Sequence, residues 1–247
     1  MNIFCPERAE GNPYRPLAPD KVVHHLEHLC AATQPVLIHL LDNALSPGLL
    51  KRLAIRGLPR PWYGFARLTP PLDDLEVCLA LKRGGCVMLK LGLESGDQSV
   101  LDALDKGIQL DMAGRILANL AAAGIATYVY LLFGTPAEGP EAAGRTLDFV
   151  AAHSARITFL NLAVFNLPLH GPQVGELETR PFYEGELSLY GRFRHPLGWD
   201  RGRVRHFLDR TFRRHPGIAE ILRRDPPVFT SNHAALFCLA GDRGMEP

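Results

Sequence analysis

The chain has 247 residues, 47% of them hydrophobic, and a formal net charge of +1 at pH 7. This size and hydrophobicity fit one large α/β domain, and the near-neutral charge excludes a field that would draw the chain to nucleic acid or a membrane surface. No apolar run reaches the roughly 18 residues of a membrane span, no signal-peptide pattern opens the sequence, and the five cysteines are odd in number and widely spaced, so we expect a cytoplasmic protein without a disulfide framework.

Helical and strand patterns alternate along the first two thirds of the chain. A first helix is predicted over residues 19–32, with Asp20 as its N-cap. Apolar runs then predict strands at residues 35–41, 62–68, 86–95, 126–134 and 156–165. Helical patterns fall between them, at residues 46–56, 70–83, 111–123 and 138–153. A further helical pattern follows the third strand and ends at residue 104. Strict alternation of this kind implies parallel strands joined by crossovers.

Periodicity leaves two arrangements open, a doubly wound open sheet and a curled partial barrel. After Leu167 the pattern breaks into a stretch rich in Pro, Gly and aromatic residues, followed by two short predicted helices near residues 201–214 and 217–224. We therefore predict an α/β domain over residues 1–167 and a C-terminal accessory extension, irregular and α-helical, over residues 168–247 that packs on it.

Polar residues stand at or near the ends of all five predicted strands. They are Asp42-Asn43, Arg67, Glu94-Ser95, Gly134-Thr135-Pro136 and Asn161. Ligands of parallel α/β folds bind at the carboxyl ends of the strands, so we expect these residues to form a site for a zwitterionic or polyhydroxylated ligand. In the third strand, Lys90 and Gly92 share a face with Glu94, and apolar residues take the other face. The alternative is that the polar residues cap helices and pair with one another.

Two segments carry a resemblance to a known family. Leu89–Ile108, with GLES followed by a helix and a Lys-Gly pair, resembles the fourth-strand motif of radical S-adenosylmethionine (radical SAM) enzymes. Ala121–Val150, with an AGI turn, a strand, a Gly-Pro turn and an acidic residue, resembles their fifth-strand region. The similarity covers about residues 5–167, and it is greatest to the branch whose members often carry a cobalamin-binding domain upstream.

The resemblance implies a fold, two cofactors and roles for the polar residues. The fold would be a partial (β/α)6-type TIM-like barrel, here lacking its first strand. Family members hold a [4Fe–4S] cluster through three cysteines of a CxxxCxxC loop and cleave S-adenosylmethionine reductively to start radical chemistry on a substrate. Cobalamin would come only through a domain absent from this chain.

By the same resemblance, Glu94 would bind the amino or ribose groups of S-adenosylmethionine. The turn formed by Gly134, Thr135 and Pro136 would line the adenine pocket. Asp42 and Arg67 would face the cofactor or the substrate, and Ser95 and Asn161 are also expected to bind the cofactor.

The cysteine loop departs from the family pattern. Cys5 falls where the third cluster cysteine would stand, the second position is Asn2, and the first would precede Met1. One cysteine cannot hold a cluster in this loop, so we expect little radical activity from the chain alone. One hypothesis is a fragment, with the missing N-terminal part on a separate chain. The other is a catalytically inactive barrel that binds a small molecule or a partner protein.

Two weaker signals point to no further chemistry. His24 and His28 have a spacing that can bind zinc, but the helix lacks the carboxylate that a metalloprotease requires, so we interpret them as a solvated face. Ten arginines between residues 192 and 224 are interleaved with acidic residues and lack an aromatic stacking pattern. They indicate a charged surface rather than a nucleic-acid site.

Overall fold

The computed structural model describes residues 16–169, 175, 177–181, 189–225 and 229–242. Its helices are α1 (Pro19–Thr33), α2 (Pro47–Arg56), α3 (Leu75–Arg83), α4 (Gln98–Ala103), α5 (Leu110–Ala122), α6 (Pro140–Ala152), α7 (Arg201–Arg210), α8 (Pro216–Leu222) and α9 (Ser231–Asp242). Its strands are β1 (Ile38–Leu45), β2 (Trp62–Ala66), β3 (Cys86–Glu94), β4 (Ala126–Phe133), β5 (Phe159–Val164), β6 (Leu167–Pro168), β7 (Thr179–Pro181) and β8 (Tyr190–Phe193). No described helix is long and apolar enough to cross a lipid bilayer.

Strands β1 to β5 form a parallel sheet in sequential order. Each strand follows a helix that packs on the sheet, as the alternating sequence patterns predicted. The fold class is therefore confirmed as α/β, and the five parallel strands agree with a partial TIM-like barrel. A second, antiparallel sheet of three short strands, in the order β6-β8-β7, was not predicted.

One face of the parallel sheet is covered by most of the helices. The main core joins Leu89 and Leu91 of β3 to side chains of α2, α3, α5 and α6. Helices α7 and α8 extend the same core with Val204 and Ile218. Residues beyond 167 thus share a core with the strand–helix units. The domain boundary that the sequence analysis sets at residue 167 stays a prediction.

The opposite face of the sheet carries α9, and we call it the α9 face. Tyr63, Met88 and Tyr128 lie there in a cluster with Ala234 and Ala235 of α9. The Tyr63 hydroxyl donates to the Asn232 carbonyl at 3.3 Å. The sequence did not predict this helix, because its apolar residues surround the whole helix and give no amphipathic stripe.

Several local predictions need correction. The N-cap of α1 is Ala18, whose side chain cannot cap, and Asp20 lies in the first turn and pairs with Arg52 instead. The segment predicted as one helix over residues 70–83 divides at Asp74, which accepts from the Glu76 amide and so starts α3 after a 3-10 turn. At α2 the prediction is confirmed, because the Ser46 hydroxyl accepts from the Leu49 amide at the N-terminus.

Candidate functional site

A carboxylate and an ammonium group meet at the carboxyl end of β3. Oε1 of Glu94 lies 2.8 Å from Nζ of Lys106, and the two side chains are only 19% and 13% exposed. The other carboxylate oxygen, Oε2, has no partner among the described residues. Partial burial strengthens this ion pair over one in open solvent, and the pair holds the carboxylate in place.

The backbone of Glu94 adopts an unusual conformation. Its φ of +69° makes it one of three non-glycine residues with positive φ in the described part of the chain. A left-handed conformation costs an L-residue about 1–2 kcal/mol, so the surrounding structure must hold it there. Strain of this kind concentrates at ligand sites, because it aims a side chain where the regular strand would not. Here it coincides with a register shift between β3 and β4.

Aromatic rings form the floor beneath the carboxylate. Gly92 leaves the space for it, because a Cβ built there would lie 3.1 Å from the Phe65 ring and 3.2 Å from Oε1 of Glu94. The Phe65 and Tyr130 rings lie 5.5 Å apart. Gly92, Tyr130 and Asn161 are consecutive register partners across β3, β4 and β5. The structure therefore brings Glu94 and Asn161 to one face of the sheet, on either side of Tyr130.

Ser95, the next residue, points into the protein. It is fully buried, and its hydroxyl lies 3.1 Å from the Thr146 hydroxyl of α6. The same Thr146 oxygen accepts from the Gly96 amide at 3.0 Å. These bonds anchor the end of β3 to α6, so the Ser95 side chain positions Glu94 and is turned toward the core.

The turn after β4 is organised around a buried carboxyl group. Gly134 has a φ of +77°, and its amide donates to Oε2 of Glu138 at 2.5 Å. The indole N–H of Trp199 donates to the same oxygen at 3.1 Å. Burial raises the pKa of Glu138 to about 7, against the lowering effect of these two bonds. Glu138 is the acidic residue that follows the Gly-Pro turn in the sequence. Its contacts with Gly134 and Trp199 show that it holds this turn together.

The same turn is tied to the C-terminal part of the chain. A Cβ at Gly134 would meet Val204 of α7 at 3.1 Å, so this residue faces α7. The Thr135 carbonyl accepts from Nε2 of His195 at 2.8 Å, and the Thr135 hydroxyl is buried with no partner in the described residues. Pro136 is half-buried.

The two remaining predicted residues, Asp42 and Arg67, are exposed. Asp42 lies inside β1 rather than after it, in a bulge where the pairing with β2 jumps from Leu40 to Leu45. Arg67 directly follows β2. Adjacent parallel strands place both at the same edge of the sheet as Glu94, and no hydrogen bond in the described residues joins them to it.

The described cysteines do not fit an iron–sulfur cluster. Cys30, Cys78 and Cys86 are buried in the main core on separate elements, and Cys238 lies on α9. Burial raises the pKa of all three core thiols, that of Cys78 to about 11, whereas cluster ligands are thiolates. Among the residues that the structure describes, no three His, Cys, Asp or Glu side chains form a metal-binding group. Cys5 lies outside the described residues.

Comparison with known proteins identifies the fold. No protein-family model matches the chain, and no curated protein does. Among solved structures, the radical SAM methyltransferase TsrM from Kitasatospora setae, with cobalamin and a [4Fe-4S] cluster bound, matches with a TM-score of 0.54 and 21% identity over 69% of this chain. The cobalamin-dependent S-adenosylmethionine radical enzyme OxsB, with aqua-cobalamin bound, matches with a TM-score of 0.51 and 18% identity over 64% of this chain.

The chain spans 38% of the length of the TsrM structure and 25% of the OxsB structure. In its fold the chain is therefore similar to these radical S-adenosylmethionine enzymes.

Proposed function

We propose that this chain is a barrel of the radical SAM type that binds S-adenosylmethionine beside Glu94. The observation that carries the proposal is the carboxylate held at the end of β3, with one oxygen paired to Lys106 and the other without a hydrogen-bond partner among the described residues. A carboxylate oxygen accepts strong hydrogen bonds from an ammonium group or from ribose hydroxyls. S-adenosylmethionine offers both.

The surroundings of Glu94 suit a nucleoside with a sulfonium group. The Phe65 ring and Oε1 of Glu94 both lie next to Gly92, the Tyr130 ring packs beside Phe65, and aromatic rings attract cations. Asn161 contributes an amide that can donate and accept. The roles of Asp42 and Arg67 toward substrate, and of the turn from Gly134 to Pro136 toward adenine, belong to this proposal, as does a cytoplasmic location.

The radical step itself depends on a cluster. A [4Fe–4S] cluster supplies the electron that cleaves S-adenosylmethionine, and the described residues offer no ligand set for it. What this chain's own residues would do is hold the sulfonium nucleoside in a fixed orientation and shield it from water with the aromatic floor.

The second candidate is a catalytically inactive barrel that binds a small molecule or a partner protein. The specific observation in its favour is that Cys30, Cys78 and Cys86 are buried in the main core, where burial raises the pKa of their thiols and so disfavours the thiolate that a cluster needs. The two candidates share the fold and differ in whether the bound molecule reacts.

Calorimetric titration of the full chain with S-adenosylmethionine tests the proposal. We expect binding that Glu94→Gln weakens roughly tenfold or more, because a charge-assisted hydrogen bond is lost. Glu141→Gln, which removes an exposed carboxylate at the start of α6, should leave the affinity unchanged. A folded chain that takes up no S-adenosylmethionine, or equal affinities for the Glu94→Gln variant and the original chain, would refute it.

Anaerobic reconstitution with iron and sulfide separates the two candidates. About four irons per chain and release of 5′-deoxyadenosine would establish the radical enzyme. A colourless protein that still binds S-adenosylmethionine would establish the inactive barrel.

A further inference from the structure

A cavity of about 600 Å³ opens at the ends of β4 and β5, on the side of α7. Its walls come from Gly134, the end of β5, strand β8 and the first turns of α7. None of Phe65, Glu94, Tyr130 and Asn161 lines it. This volume lies within the range of small-molecule sites, and Gly134 is the one lining residue that also belongs to the turn proposed to face adenine.

Arginine side chains give the cavity a positive charge. Arg201 and Arg205 lie one turn apart on α7, and both line the cavity, as does Arg192 of β8. No carboxylate forms an ion pair with Arg201 or Arg205 in the described residues. Among the described residues of the lining, Asp200 is the only acidic one, and it accepts from the Arg203 amide at 2.9 Å and caps the helix.

The guanidinium of Arg201 is held in place by neutral groups. Its Nη1 donates to the Asn166 side chain at 2.6 Å and to the Phe165 carbonyl at 3.4 Å. Burial lowers its pKa, and the nearby charge of Arg205 lowers it further. Like charges one turn apart repel each other, so an anion between them would relieve the repulsion.

The remaining wall is aromatic and uncharged. The Phe165 and Phe193 rings meet edge to face at 5.7 Å, and Trp199 is 6% exposed. His195 is fixed as a neutral tautomer, because its Nε2 donates to the Thr135 carbonyl and its Nδ1 accepts from the Leu197 and Trp199 amides. Burial also lowers its pKa, so it adds no charge near neutral pH.

We propose that this cavity binds a small aromatic molecule carrying an oxyanion. The carboxylate or phosphate would lie between Arg201 and Arg205, and the ring would pack against Phe165 and Phe193. Arginine binds either oxyanion through paired hydrogen bonds, and the aromatic wall supplies the apolar contact. The inference goes beyond the proposed function, because it needs neither the Glu94 site nor S-adenosylmethionine.

Binding to the full chain, without S-adenosylmethionine, tests this inference. The probes are naphthoate, naphthyl phosphate and the neutral naphthamide, titrated by calorimetry. We expect one of the anions to bind at least about tenfold more tightly than the amide, and the better anion identifies the acid group. Naphthamide binding as tightly as both anions would overturn the proposal.

Matched arginine variants locate the site. Arg201→Gln should weaken binding of the preferred anion roughly tenfold and leave naphthamide binding unaffected. Arg205→Gln should also weaken anion binding, and because the Arg205 side chain is exposed, this variant should fold normally. Arg203→Gln removes the same charge from the same turn outside the cavity and should change nothing. The proposal fails if Arg203→Gln weakens binding as much as Arg205→Gln does.

Discussion

Replacing Glu138 by glutamine should change how the stability of the protein depends on pH. The carboxyl group is fully buried, and its pKa is raised from 4.5 to about 7, chiefly by loss of water. The folded protein therefore keeps a proton that the unfolded chain gives up between these two values. Below about pH 4.5 both states are protonated, and the group has no pH-dependent effect on stability.

The cost of the buried charge develops as pH rises. Each pKa unit corresponds to about 1.4 kcal/mol, so the difference between 4.5 and about 7 amounts to roughly 3 kcal/mol of stability, lost progressively as pH rises from 4.5 through about 7 and fully lost above about pH 8. Glutamine carries no charge at any of these pH values. Its side-chain oxygen can still accept from the Gly134 amide and the Trp199 indole.

The glutamine amide group also has a cost, which does not vary with pH. It would occupy the position of Oε1, which is buried with no partner in the described residues, at a cost of about 1–3 kcal/mol. The informative quantity is therefore the change with pH in the stability difference between Glu138→Gln and the original protein. We expect that difference to move by about 2–3 kcal/mol in favour of the variant between about pH 5 and pH 8.5.

Urea unfolding followed by far-ultraviolet circular dichroism at several pH values measures this difference. Glu141→Gln, one turn away and exposed, is the matched control and should give a difference that does not vary with pH. A Glu138→Gln difference that is equally flat would show that the carboxyl group is not desolvated as described.

Two further substitutions test how the site is held. Gly96→Ala should destabilise the protein by about 2–3 kcal/mol, because its Cβ would lie 2.7–2.8 Å from atoms of α6, whereas Gly107→Ala has open space and should cost about 1 kcal/mol for its φ of +64°. Equal losses in urea unfolding would contradict the close approach of β3 and α6. Asn232→Ala should cost about 1–2 kcal/mol, because it removes the acceptor 3.0 Å from the buried Lys90 ammonium, and the exposed His233→Ala should cost less than half of that. If Asn232→Ala and His233→Ala had equal thermal midpoints, the hydrogen bond between Lys90 and Asn232 would not be what holds α9 on the sheet.

Local patterns predicted most of the parallel sheet. The apolar run from Cys86 to Leu93 is long enough for a strand in any buried setting, and Ser46-Pro47 starts a helix through bonds within a few residues. Predictions failed where two neighbouring residues competed for one role. At α1 the N-cap lies two residues earlier than expected, at Ala18, and Asp20 in the first turn pairs with Arg52.

The candidate site was predicted in part. Glu94 and the turn at Gly134 were named from the sequence, and their positions at the ends of β3 and β4 follow from strand direction alone. The partners that define their chemistry were not predicted. Glu138 and Trp199 are 61 residues apart, and no pattern within a segment reports such a contact.

The sequence by itself determined the alternation of strands and helices and the GLES motif, because periodicity and turn residues act over a few neighbours. Only the tertiary structure decided that Lys106 pairs with Glu94, that α9 covers the face opposite the helices, and that Arg201 and Arg205 line a cavity at the end of β5. Which faces meet depends on how distant segments pack, and burial then sets the charge and pKa of the groups between them.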